Sequence, residues 1–228
     1  MNSTSKRSHP NQQLLERLKP QLKTLPSVMV SSCLMGENVR YDGKHKRQEP
    51  LQTLFSDLLR LEAFCPEVAA GMGVPREPIH WVECAQGEQR IEQVTEPKRQ
   101  YQQALQRACE HQLADTMPLD GAIVKARSPS CGLGNTPVVS EQGKLLSKID
   151  GLWVQNLKTK HPSVLMTDES LFNREADSLW FIALLYLQQL ARQGDFPSSK
   201  ALHSLSLTAP NHHRRSTYQQ LSLLIDKH

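Results

Sequence analysis

Five cysteines punctuate this chain of 228 residues, and no two of them form a CxxC pair. The closely spaced ligands of a zinc ribbon, a zinc finger or a ferredoxin-type run are therefore absent. An odd count in a chain this long also argues against a dense disulfide framework. Cys33, Cys65 and Cys131 are set apart by their company. Ser31-Ser32-Cys33-Leu34-Met35-Gly36 runs on to Arg40-Tyr41-Asp42-Gly43. Cys65-Pro66-Glu67-Val68 is followed by Gly71 and Pro75-Arg76. Ser128-Pro129-Ser130-Cys131-Gly132 completes the set. Each of these cysteines lies in a turn beside Gly or Pro, with a polar group nearby. Turns expose backbone N–H groups that can stabilise a thiolate or a sulfide by hydrogen bonding. The chemistry of such sites is metal ligation or thiolate nucleophilicity. Cys84 and Cys109 lack this setting. Cys109 falls in a helical stretch, where a cysteine packs as a small hydrophobe.

The elements that must position the three cysteines follow from periodicity. A short helix is predicted over residues 11–23, with Leu14, Leu15, Leu18 and Leu22 on one face. Residues 28–34 read as a buried strand, followed by a long polar loop to Pro50. Residues 51–61 repeat with helical period, and 63–68 form a short strand closed by Pro66. A Gly/Pro-rich loop spans 71–78. Pro97 is placed to open a helix reaching Leu113. Residues 121–126 read as a second buried strand that runs straight into the third cysteine segment. A short helix over 153–158, a strand over 163–166 and a long helix over 171–192, ended by Gly194, come next. A final amphipathic helix is predicted over 218–225. Strands alternating with helices give an α/β fold with a largely parallel central sheet flanked by helices, and a helical C-terminal extension. The predicted segmentation is a tail and helix over 1–25, an α/β domain over 26–168 and the extension over 169–228. Cys33, Cys65 and Cys131 then all lie at or beyond strand ends, where open α/β sheets bind ligands.

The formal charge is +4. Residues 1–50 carry an excess of lysine and arginine, which suits a phosphate-bearing partner but also a solvated basic face. No stretch approaches the ~20 apolar residues of a membrane span. The first dozen residues lack the apolar core of a signal peptide. The expectation is a cytoplasmic protein with no membrane partner, in which thiols stay reduced.

Taken together, the segments CLMGENVRYDG, CPEVAAGMGVPR and SPSCG resemble the thiouracil desulfurase family, with the likeness spanning residues 28 to about 165. The resemblance implies a [4Fe-4S] cluster held by Cys33, Cys65 and Cys131. Three protein ligands for four irons leave one iron open as a Lewis acid for the soft sulfur of a thiocarbonyl. It also implies a small-molecule thiolated pyrimidine as substrate: free thiouracil, thiouridine or 4-thio-UMP. Thiouridine in tRNA is the nearest variant. Glu67, placed two residues after Cys65 on an extended backbone, would share its face and act as general acid or base. By the same resemblance Ser128 contacts the substrate or orients water, and Ser130 contacts substrate or supports the cluster loop. Arg40, Arg76 and Lys125 are candidates for substrate oxygens or a phosphate, and Asp42 is placed to hold Arg40. The segment 133–137 is expected to shape substrate choice.

Two rivals come from other classes. One is a non-enzymatic nucleic-acid-binding module in which the three cysteines, with His45, hold zinc. The other is a metal-free cysteine-nucleophile enzyme. His80 is read as an ordinary buried or surface histidine, and His212-His213-Arg214-Arg215 as a solvated basic loop.

Overall fold

The computed structural model of the protein describes residues 10–114 and 118–195. The expected tail, apart from Pro10, lies outside the described residues, as do the 212–215 basic spot and the helix over 218–225. The chain divides into two compact units. One is Ser27–Ser170; the other joins the residues up to Pro26 with those from Leu171.

Two sheets build the larger unit. The first contains β1 (Ser27–Ser31), β2 (Arg60–Phe64), β5 (Gly121–Val124) and β8 (Leu165–Asp168), in the order β2-β1-β5-β8. All of its pairings are parallel. β1 and β5 are buried along their whole length, as a central parallel strand requires, and so read as continuous apolar runs. Their entrances are tied together: Asp120 Oδ2 accepts from Ser27 N at 2.8 Å. The second sheet contains β3 (Ile79–Glu83), β4 (Gln89–Gln93), β6 (Thr136–Ser140) and β7 (Leu145–Ile149), in the order β4-β3-β6-β7. Here β3 and β6 are parallel, and the two outer pairings are antiparallel.

Helices α4 (Gln102–Ala114) and α5 (Leu152–Lys160) complete the core. Leu105 of α4 packs with Ile79, Trp81, Ile91 and Val138 of the second sheet. One to two turns further on, Cys109 and Leu113 pack with Met29, Ala122 and Val124 of the first sheet and with Trp153, Val154 and Leu157 of α5. The smaller unit pairs α1 (Pro10–Leu18) with α6 (Glu175–Arg192). Leu14, Leu15 and Leu18 are its buried face on α1. Gly194, at φ 82°, follows α6 in the left-handed conformation that suits the residue after a helix. Among the described residues no helix is long and apolar enough to cross a membrane.

The α/β class and the parallel sheet agree with the sequence reading. Several element boundaries do not. β1 stops at Ser31, so Cys33 lies in a short helix, α2 (Ser32–Met35), ended by Gly36 at φ 99°. Residues 51–61 hold one π-type turn, Leu51–Phe55, which accounts for the apolar spacing, and then turn into the edge strand β2 at Arg60. The expected extension of a strand through Val68 is replaced by helix α3 (Pro66–Ala69), with Pro66 at its first position. Pro97 does not open α4: residues 89–93 form β4, which bridges Glu92 to Gln100.

The N-terminus of α5 grips the third cysteine segment. Leu152 N, Trp153 N and Gly151 N donate to the carbonyls of Pro129, Ser130 and Gly132 at 3.2, 2.8 and 2.7 Å. The approach is so close that a Cβ on Gly151 would lie 2.6 Å from Cys131 N and 2.6 Å from Ser130 C. Both are backbone atoms and cannot turn away. Gly151→Ala is therefore expected to lower stability by about 2–3 kcal/mol, the upper range of overpacking, measured by urea denaturation.

Candidate metal centre

β1 has β2 on one side and β5 on the other. The segments leaving its carboxyl end and that of β5 therefore part, which is the arrangement that opens a ligand crevice in α/β sheets. A cavity of about 390 Å³ lies there, within the usual range for small-ligand sites. Cys33, Cys65 and Cys131 line it, together with Glu67, Ser128, Arg40, Arg76 and Lys125. Ser130 does not line it.

Each cysteine is held by backbone geometry. Lys46 N and Gln48 N donate to Cys33 O and Leu34 O at 2.8 and 2.9 Å, which straps the long polar loop over α2. Cys65 is the extended residue before α3, and its carbonyl accepts from Ala69 N at 3.0 Å. Cys131 N and Ser130 N donate to Ser128 Oγ at 3.2 and 3.3 Å, a serine turn that curls the loop around its own side chain. Thr136 Oγ1 closes the loop from behind by donating to Ser128 O at 2.9 Å.

Electrostatics sets these thiols apart from surface cysteines. Burial, with Cys65 adding to it, pushes the Cys33 thiol up to about 12 against the pull of Lys125 and Arg40. Burial raises Cys65 as well, with Glu67 adding to the rise. Cys131 is raised well above the ordinary thiol range, first by burial and then by Cys65 and Cys33, against a hydrogen bond with Ser31. Cys33 and Cys131 thus each feel the neighbouring thiols across a shared space.

Glu67 is the carboxylate of the site. The extended backbone expected for it is not formed, because it lies in the first turn of α3. Arg76 Nε and Nη2 both donate to Glu67 Oε2, at 2.8 and 2.7 Å, and Ser130 Oγ donates to Oε1 at 2.9 Å. Ser130 is fully buried. Its hydroxyl and the Arg76 guanidinium are turned to Glu67, and Arg76 Nη1 donates to Gly73 O at 2.9 Å. Arg40 is paired with Asp42 at 3.2 Å, and this hydrogen bond holds the Asp42 carboxyl below its usual range.

Glu169 was not singled out in the sequence. It follows β8 directly, pairs with Lys125 and accepts from Ala126 N at 2.6 Å. Its signal was an acidic residue at the end of a buried strand. Asn135, in the 133–137 segment expected to shape substrate choice, braces the loop: its Oδ1 accepts from Arg127 N at 2.7 Å and its Nδ2 donates to Asp168 at 3.0 Å. Arg127 sits at φ 61°, so this part of the loop needs external support.

Cys109 is buried in the hydrophobic core, and Cys84 lies beside Arg90; neither lines the cavity. His45 does not line it either, and its Nδ1 accepts from Arg47 N. Among the described residues no three His, Cys, Asp or Glu side chains are placed to hold a single metal ion. The three-thiol donor set instead suits a polynuclear iron–sulfur group: soft donors from three loops converge on one cavity, and thiols that burial keeps neutral ionise against a cationic partner.

A model of the 2-thiouracil desulfurase family matches residues 28–169. The chain belongs to this family. The likeness read from its three cysteine segments is thereby borne out. Among curated proteins, an uncharacterized protein of Bacillus subtilis (strain 168), YbbK, is 32% identical over 117 residues, covering 47% of this chain and 74% of the relative. A solved structure of a [4Fe-4S]-dependent thiouracil desulfidase, TudS, is similar with a TM-score of 0.52 and 30% identity, covering 68% of this chain and 99% of that one. The 2-thiouracil desulfurase match begins in β1 and ends at Glu169, so it contains all three cysteine loops and the Lys125–Glu169 pair.

Breaking a buried pair strands a charge. Arg76 and Glu67 expose only 6% and 13% of their side chains. Arg76→Met is expected to cost about 3 kcal/mol. The double variant Arg76→Met/Glu67→Gln should recover much of that, a coupling measured in a double-mutant denaturation cycle.

Proposed function

We propose that this protein is a [4Fe-4S]-dependent desulfidase that removes sulfur from thiouracil-type bases. The observation that carries the reading is the meeting of Cys33, Cys65 and Cys131 with Glu67 and Ser128 around one cavity at the sheet's switch point. In this reading the three thiolates hold the cluster. When bound, it supplies an iron without a protein ligand, a Lewis acid with affinity for a thiocarbonyl sulfur.

The chain's own residues supply the rest. Replacing C=S by C=O consumes one water and releases hydrosulfide and a proton, with no change of oxidation state. Glu67 takes a proton from the attacking water and returns it towards the leaving sulfur. Its Oε2 is occupied by Arg76, so Oε1, steadied by Ser130, is the oxygen that exchanges protons. Ser128 uses its oxygen as acceptor for two backbone amides. Its own hydroxyl proton therefore points elsewhere and is available to water or substrate. Lys125 and Arg40 lower the cost of a thiolate at Cys33.

The substrate class is a thiolated pyrimidine as free base, nucleoside or 4-thio-UMP, since the cavity volume suits a small ligand. Thiouridine within tRNA is the nearest extension. It is supported only by the basic residues 1–50 and is tested by salt-dependent tRNA binding.

The decisive experiment is anaerobic reconstitution followed by turnover of 4-thiouracil, 2-thiouracil and 4-thio-UMP, read as loss of thiocarbonyl absorbance. Cys33→Ala, Cys65→Ala and Cys131→Ala should each lose bound iron, whereas Cys84→Ala and Cys109→Ala retain it. Glu67→Gln should keep its iron and lose about 10²–10⁴ in kcat. A colourless wild-type protein carrying stoichiometric zinc, or one with no turnover of any of the three, refutes the reading.

A further inference from the structure

The second sheet presents His80, Pro137 and Val139 to the cavity, with Ile79 at the start of β3 beside them. In its register Trp81 lies beside Val138 and Val82 beside Val139, while His80 lies opposite Glu92. Side chains alternate between faces along a strand. Ile79, Trp81, Ile91 and Val138 therefore share the inner face, where they form a hydrophobic core. His80, Pro137 and Val139 share the other face, and all three line the cavity. That wall is apolar apart from one imidazole.

His80 is oriented from behind. Its Nε2 is enclosed and has no hydrogen-bond partner; Glu92 Oε1 lies 3.9 Å from it. Glu92 is buried, and its Oε2 accepts from Arg90 Nε at 2.7 Å. A carboxylate on the Nε2 side favours the tautomer with its proton on Nε2. Nδ1 is then the nitrogen left for a ligand, as an acceptor. Burial, with Lys98 adding to it, lowers the histidine below its usual range, against the pull of Glu92, which keeps the ring neutral at neutral pH.

We propose that His80 is a specificity-determining residue that accepts a hydrogen bond from a ring N–H of the pyrimidine lying against Pro137 and Val139, with Glu92 and Arg90 as positioning residues. This rests on the desulfidase reading and deepens it by naming the residue that reads the ring. A flat apolar wall carrying one placed acceptor is complementary to a pyrimidine whose ring is apolar in its faces and whose N–H lies at its edge.

The test uses the full, anaerobically reconstituted chain. Three variants, His80→Ala, His80→Gln and Glu92→Gln, are compared with wild type for iron content, thermal unfolding, and kcat and KM on 4-thiouracil. Equilibrium dialysis gives Kd for 4-thiouracil and uracil. His80→Ala is expected to keep wild-type iron content and raise KM and both Kd values at least tenfold, with a kcat change smaller than the KM change. His80→Gln, which retains an acceptor, should recover part of the affinity, and Glu92→Gln should raise KM less than His80→Ala. Unchanged Kd and KM in a folded, iron-loaded His80→Ala protein overturn the proposal, as does a fall in kcat alone. Wild-type protein without turnover sinks the desulfidase reading separately, and the dialysis on wild type and His80→Ala still decides the role of His80. If His80→Ala fails to fold, the His80→Gln comparison decides it.

Discussion

Three enclosed thiols share one cavity, and burial opposes the ionised form of each. Cys33 and Cys131 are pushed further by the neighbouring thiols. Nothing in their mutual interaction draws them together in the bare protein, so the backbone has to impose their positions. It does so at each loop with main-chain bonds. Amides at 46 and 48 grip α2, α3 begins directly after Cys65, and amides at 151 to 153 grip the carbonyls around Cys131. Gly151 and Gly132 are the sequence cost of that approach, because a side chain at either would meet its neighbours at under 3 Å. Preorganisation of this kind places ligands before anything is bound.

Four carboxylates on or near the cavity are each paired with a cation. Glu67 has Arg76, Glu169 has Lys125, Asp42 has Arg40 and Glu92 has Arg90. Arg40, Arg76 and Lys125 line the cavity as the sequence reading expected of substrate-facing cations; of their partners only Asp42, two residues from Arg40, was visible in the sequence. Arg76 shows why the pairing matters. It is enclosed and spends three N–H groups on Glu67 and Gly73, so its leverage on chemistry passes through the orientation of Glu67. Lys125 and Arg40 retain an influence of their own through the field they exert on Cys33.

The first sheet was legible because it is central. β1 and β5 are buried on both faces and appear as short apolar runs followed by turn residues, which also marked the cysteines at their carboxyl ends. The second sheet was not legible, for a physical reason. In β4 only Ile91 is apolar, flanked by Gln89, Arg90, Glu92 and Gln93, and β7 is exposed almost throughout. Strands at the edges of a sheet with one wet face lose the alternation that would reveal them. That gap hid His80, whose placement depends on the β3 register, and it made Pro97 look like a helix start. Glu169 escaped for another reason, and the bracing role of Asn135 with it: they act on backbone N–H groups and side chains elsewhere in the chain, contacts that carry no local pattern.

The two sheets divide the work through chain connectivity. The chain leaves the first sheet at β2, passes Cys65 and makes β3 and β4 before returning through α4 to β5. It leaves again at β5, passes Cys131 and makes β6 and β7 before returning through α5 to β8. Both excursions therefore start at a cysteine loop, and they meet where β3 pairs with β6. That pairing joins the chain just beyond Cys65 to the chain just beyond Cys131, and Trp81 Nε1 adds a bond to Pro129 O at 2.9 Å. The relative position of two cysteine loops is thus fixed twice, once by the order of the parallel sheet and once by the second sheet. A site that brings three separately encoded cysteines to one point gains from such double fixing, since a shift of either loop must break strand pairing as well as a turn. The same pairing carries the apolar wall of Pro137 and Val139 to the cavity. The device that holds the cysteine loops in register thereby also shapes the surface facing them.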